Sequence, residues 1–256
     1  MVQDALFGLV RRDAQRLLAR AIDLELRYFR EHLVNGHAWR GGPPPMRNGL
    51  HPERLLQTGI GPVRVRIPKL RSRGSSLVFR SVLVPQYLRC TRAPGTASAE
   101  LYLHAISSSD LDQALMALVG PRAYALPPEV RAELRRYWRQ RCDRWRNSAL
   151  ERTSGSQVWW QALRVPVPDG TDTWLLVVIG IDERRRHRLL ALHECAQPSE
   201  QGWRDVMLAL KLRGMDFAAD PAAIAALHPE GASGLGVGGA AISPLPAVDA
   251  SLLHQN

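Results

Sequence analysis

The sequence predicts an α+β protein, in which a helical first half precedes a second part that opens as an α/β layer. Three observations carry this. Apolar residues recur at helical spacing through much of residues 1–150. The period then changes to three apolar, β-branched or alternating runs between residues 157 and 196, separated by turn signals. An amphipathic helix follows, and three strands leading into a helix is how a layered domain begins. With 256 residues, 45% of them apolar and 23% charged, the chain can bury a sizeable core. No run reaches eighteen apolar residues, so a membrane-spanning helix is not expected.

Residues 3–34 read as one long helix, with Leu6, Leu9, Val10, Leu17, Leu18, Ala21, Ile22, Leu26, Phe29 and Leu33 on its apolar stripe and Asn35-Gly36 as its stop. GGPPPMRNG, residues 41–49, reads as a turn-rich linker. Within TGIGPVRVRIPKLRSRG, Val63, Val65 and Ile67 alternate with Arg64 and Arg66, which predicts a strand with one basic face across 63–73. The chain turns helical again near Ala97, and Ser107–Ser109 offer caps for a helix bearing Leu111, Leu115, Leu118 and Val119, closed by Gly120. Pro127-Pro128 then starts a helix with Glu129 in its first turn. Its apolar stripe is Val130, Leu134, Tyr137, Trp138, Cys142 and Trp145, and Arg131, Arg135, Arg136, Arg139 and Arg146 lie on its other faces. A helix pair over 107–146 with a basic second helix fits a helix-turn-helix reader, although from pattern alone a solvated amphipathic pair is the default.

The three runs of the second part are Gln157–Val167, Thr173–Asp182 and Arg188–Ala196, an antiparallel meander by their spacing. Ser199 caps the following helix, which carries Trp203, Val206, Met207, Leu210 and Leu212 and ends at Gly214. GASGLGVGGAAISPLPAVDAS reads as low-complexity, disordered chain. The organisation expected is a basic, mainly helical region over 1–150, a layered α/β domain over 151–227 and a low-complexity tail over 228–256.

Charge divides along the same line. Residues 1–150 hold 25 basic and 12 acidic side chains, 25 − 12 = +13, and residues 151–256 hold 9 and 12, 9 − 12 = −3. No acidic residue lies between Arg54 and Ala99, where nine are basic. A polyanion partner for the first half follows. Cys90, Cys142 and Cys195 are odd in number and far apart, which argues against a disulfide framework and a zinc site and places the chain in the cytoplasm.

Other motifs reduce to structure. His193-Glu194 lacks the second histidine of a zinc peptidase helix. The glycines at 231–239 neither follow a strand nor precede a helix, as a dinucleotide loop requires. Ser154 lacks the strand-to-helix turn of a nucleophile elbow. Arg184–Arg186 sit at a hairpin tip, where a solvated turn is the default, and Trp159-Trp160 read as core packing before base stacking.

RNGLHPERLLQTGIGPVRVRIPKLRSRG, ALMALVG, LLVVIGIDERRRHRLLAL and WRDVMLALKLRGM, in this order over roughly residues 1–216, resemble the bacterial Mutator-type insertion-sequence transposases. The resemblance implies a helical DNA-binding region followed by a ribonuclease-H-like domain. It also implies cutting and joining of double-stranded DNA at insertion-sequence ends with Mg²⁺ or Mn²⁺ held by an Asp-Asp-Glu set, since two hard cations on a phosphate need carboxylate ligands. Partners would be element-end DNA, a second copy or a full-length transposase, in the bacterial cytoplasm at the nucleoid. Aligned on the family's first strand, Val158-Trp159-Trp160-Gln161-Ala162-Leu163 puts Gln161 at the first Asp position. Asp220, the catalytic and metal residue on this reading, takes the second position with a short deletion, and Ala225 takes it without one. The final Glu has no counterpart. The implied protein is a C-terminally truncated or degenerate transposase, inactive as a nuclease, and the alternative is a non-catalytic DNA-binding regulator of an intact transposase. The expected phosphate contacts are Arg64, Arg66, Lys69, Arg71 and Arg73, with Arg131, Arg135 and Arg139 on the basic helix.

Overall fold

In the computed structural model, residues 2–35, 44–71, 78–91, 98–150, 157–166, 172–182, 184–215 and 241–242 are described. The chain divides into two compact units, Val10–Cys142 and Met1–Leu9 with Asp143–Asn256.

The first unit is mainly helical. Helix α1, Val2–Asn35, buries Val10, Leu17, Leu18, Ala21, Ile22 and Leu26 of the stripe its periodicity predicts, and Ala14 and Leu24 besides, while Leu9, Phe29 and Leu33 are only partly buried. Two small antiparallel pairs follow. Strand β2 (Arg54–Thr58) pairs with β3 (Gly61–Val65) across a two-residue turn, and β1 (Met46–Leu50) pairs with β4 (Pro68–Arg71). Two expectations are corrected here. The end of the expected linker over 41–49 is strand β1. The expected basic strand over 63–73 is two strands with different partners, interrupted at Arg66-Ile67 just before Pro68, which has no N–H for a continued ladder. Residues 72–73 lie outside the described residues.

Helices α2 (Ser98–Ser107), α3 (Leu111–Val119) and α4 (Pro128–Arg146) complete this region, with a 3₁₀ segment Gly120–Ala125 between the last two. The cap of α3 is Asp110, not Ser107–Ser109: its carboxylate accepts from the amides of Asp112 (2.8 Å) and Gln113 (3.3 Å), while Ser109 takes a left-handed φ of 58° in the turn. The helix pair with a tight three-residue turn is therefore α2–α3, rather than α3–α4. Trp138 of α4 meets Tyr102 of α2 edge-on at 5.8 Å, and both are fully buried.

The second unit is built on the expected meander. Strands β5 (Gln157–Pro166), β6 (Asp172–Ile181) and β7 (His187–Cys195) are antiparallel in the order β7-β6-β5. Central β6 is buried on both faces from Leu175 to Ile179, which is why it reads as an unbroken LLVVI run instead of an alternation. Helix α5, Glu200–Leu212, is capped by Ser199, whose Oγ accepts from Gly202 N at 3.1 Å. Its Trp203, Val206, Met207 and Leu210 cover the face formed by Val158, Trp160, Ala162, Leu176, Val178 and Ala191. Trp160 and Trp203 meet edge to face at 5.7 Å, which places Trp160 in the core. Ala241–Ile242, inside the tail expected to be disordered, instead add a short strand β8 beside β5.

A bulge interrupts β7. Val178 pairs with Ala191 but Ile179 with Leu189, so Leu190 has no partner across the ladder. Gly180 makes room for it, since a Cβ there would lie 2.9 Å from Leu190 Cδ1. The Leu190 carbonyl accepts from Arg213, whose guanidinium also donates to the Ser148 and Trp145 carbonyls at 2.9 and 3.2 Å. Burial, and then the nearby charge of Arg188, lower the pKa of Arg213. Gly214 follows at φ +93°, a conformation that favours glycine.

Candidate nucleic-acid interface and catalytic strand

The basic strand segment exposes what the sequence expects it to expose. On β3 Val63 and Val65 are buried and Arg64 faces solvent, because strand side chains alternate. Arg64 and Arg66 keep 66% and 57% of their side-chain surface open, yet both approach one carboxylate, Glu53, at 3.7 and 3.1 Å. Glu53 stands one residue before the acid-free window, so a count within the window misses it. Exposed pairs of this kind contribute about 0–1 kcal/mol, and a phosphate group can take the place of Glu53 at small cost. Lys69 is half-buried and Arg71 exposed on β4, and Arg73 lies outside the described residues.

The three helix-borne arginines are not alike. Arg131 donates to the Ala123 carbonyl at 3.1 Å and lies 5.4 Å from the centre of the Tyr124 ring. Arg135 binds Asp112 at 2.8 Å, tying α4 to α3. Both guanidiniums therefore hold local structure, while Arg139 is exposed, as is Arg136 one turn before it. The inward role of Arg135 has a faint sequence signal in Asp112 near the start of α3. That of Arg131 has none, because its acceptor is a backbone carbonyl.

Other arginines of this unit also turn inward. Arg20 and Arg27 of α1 both reach Glu133 of α4, and Arg141 pairs with Asp13, which also accepts from the Tyr102 hydroxyl at 2.8 Å. Arg54 donates to the carbonyls of Val84, Pro85, Gln86 and Leu88, gathering that segment around its fork. Burial lowers its pKa.

On the first strand of the sheet unit, Gln161 is half-buried in the middle of β5, directly across from Val177. Its neighbours in sequence, Trp160 and Ala162, point to the α5 side, so Gln161 lies on the other face. The residues beside Val177 on that face, Leu175 and Ile179, are apolar and buried. A neutral amide among aliphatic side chains is a poor donor set for a hard divalent cation. Among the described residues no group of three or more His, Cys, Asp and Glu side chains could hold a metal ion. Among the described residues, those beside Gln161 on β6 offer no carboxylate to a hard cation. Asp220 and Ala225 lie outside the described residues. His193 and Glu194, adjacent on β7, face opposite sides of the sheet.

Residues 9–218 match the family model described as Transposase, Mutator family. The chain belongs to the Mutator family of transposases. No individual curated protein matches it. The match runs from α1 through α5, so in this transposase-family chain it takes in both the basic strands and the strand that carries Gln161. Among the described residues no helix is long and apolar enough to cross a membrane.

Proposed function

We propose that this chain is a DNA-binding member of the Mutator transposase family that has lost strand-cleavage chemistry. The observation that carries the reading is Gln161. The family resemblance calls for a carboxylate at that position, on the first strand of a ribonuclease-H-like sheet. An amide there, facing aliphatic neighbours, removes the anionic anchor on which phosphoryl transfer by hard cations depends. The order β7-β6-β5 followed by α5 supports the ribonuclease-H-like assignment, because a meander with a covering helix is how such a layer begins.

DNA binding rests on Arg64 of β3, Arg66 just after it, Lys69 and Arg71 of β4, and on exposed Arg139. Arg131 and Arg135 act indirectly on this reading, by holding α4 against the 3₁₀ segment and α3. Contacts of this kind are with phosphates and confer affinity without base readout.

The test is incubation of the purified chain with insertion-sequence-end DNA in Mg²⁺ or Mn²⁺. No cleavage or joining is expected. Nicking that disappears in Asp220→Ala would overturn the loss of chemistry. In parallel, affinity for duplex DNA should fall with salt, by about 0.9 in log–log slope for each phosphate contacted. Arg64→Gln with Arg66→Gln should flatten that slope.

A further inference from the structure

The unit holding the sheet is poor in cations, with 9 basic against 12 acidic side chains over residues 151–256. Four of those nine cluster at the β6–β7 connection, as Arg184, Arg185, Arg186 and Arg188. The tip is built to hold them. Asp182 N donates to the Arg186 carbonyl at 3.1 Å, and Arg185 N donates to the Asp182 carbonyl at 2.8 Å, closing the turn. The Asp182 carboxylate accepts from Arg186 twice, from its backbone N at 2.8 Å and its Nε at 2.7 Å. Three residues thus separate a paired Asp182 and Arg186, the loop length that places its last residue in the left-handed region. That residue is Arg185, at φ +55°.

Glycine is the residue this position favours, since an L side chain there is strained. A non-glycine residue kept at such a position points to use of its side chain. Arg186 is committed to Asp182. Arg184, Arg185 and Arg188 are exposed, and none of the three has a carboxylate partner among the described residues. Arginine's planar fork matches a phosphate, and a concentration of like charge in a mildly acidic unit is relieved by a polyanion.

We propose that the β6–β7 tip is a second DNA-backbone contact, in which Arg184, Arg185 and Arg188 bind phosphates. It rests on the DNA-binding reading above and adds a site outside the basic strands. The hydrogen-bonded turn presents the arginines, and glycine in place of Arg185 would relieve the backbone but remove a phosphate ligand. Arg185→Gly therefore acts in opposite directions on stability and on binding.

The experiment is fluorescence anisotropy of the full chain with a random 30-base-pair duplex across a NaCl series, alongside thermal unfolding. Arg184→Gln with Arg188→Gln should flatten the log–log salt slope by about 1.8, at about 0.9 per phosphate lost. Arg185→Gly should flatten it by about 0.9 while raising the unfolding temperature. Wild-type binding with slopes unchanged in all these variants overturns the tip as a contact and leaves the basic strands as the interface. A wild-type chain that does not bind duplex DNA overturns the DNA-binding reading and the tip with it.

Discussion

The unit Val10–Cys142 and the sheet unit use arginine in contrasting ways. The first is rich in cations, but many of them look inward: Arg20 and Arg27 toward Glu133, Arg141 toward Asp13, Arg135 toward Asp112, and Arg54 toward four carbonyls. The sheet unit has few cations. Arg213 turns inward there, while Arg184, Arg185 and Arg188 stand out at one tip. Net charge therefore overstates the surface offered to a polyanion in one unit and understates it in the other. What matters is the charge left over after the fold has taken its share.

Substitutions in the first unit test how firmly its polar groups belong to structure. The largest effect is expected at Glu25, buried in α1, which accepts from Ser81 Oγ at 2.5 Å and from Val82 N at 2.8 Å. Glu25→Ala leaves those donors without an acceptor and should destabilise by about 2–3 kcal/mol in urea unfolding. Burial raises the Glu25 pKa above 4.5, against the lowering effect of the Ser81, Val82 and Leu83 hydrogen bonds. The folded chain consequently keeps this proton to higher pH than the unfolded chain does. Stability attributable to Glu25 falls as pH rises from about 4.5 through the folded-state pKa, and Glu25→Gln should abolish that part of the pH dependence.

Arg54→Ala comes next, at about 2 kcal/mol, because charge-assisted bonds to several carbonyls are lost together. If Arg54 is structural, the salt slope of DNA binding stays as in the wild type. A flattened slope would move Arg54 to the interface and weaken the contrast between the units. The smallest effect is expected at Arg135→Ala, since a part-exposed ion pair with Asp112 contributes about 0.2–1 kcal/mol. Asp112→Ala should match it within error, and a double-mutant cycle measures the pair directly.

Much of the fold was legible because it is periodic. The stripe of α1, the LLVVI run of β6 and the Ser199 cap each follow from local rules, and each stands where those rules put it. Strand β1 was not legible: all five of its residues are exposed, so no burial pattern marks it. Ser107–Ser109 competed with Asp110 for one cap, and the carboxylate holds it. Contacts such as Arg20 with Glu133, 113 residues apart, leave no trace in spacing. For the candidate site, composition located the basic strands but could not see Glu53 between their arginines. The meaning of Gln161 came from family resemblance, since a lone glutamine on a strand carries no signal of a missing carboxylate.

The bulge at Leu190 has a consequence for solubility. Strand β7 is one of the two edge strands of its sheet, and a long, flat edge strand is a template for pairing between chains. An extra residue bends such a strand and raises its twist, so a neighbouring molecule finds no straight ladder to extend. Arg213 makes that bend lasting by occupying the Leu190 carbonyl. One inserted leucine, with a glycine beneath it and an arginine behind it, thus denies a neighbouring chain a straight ladder at this edge.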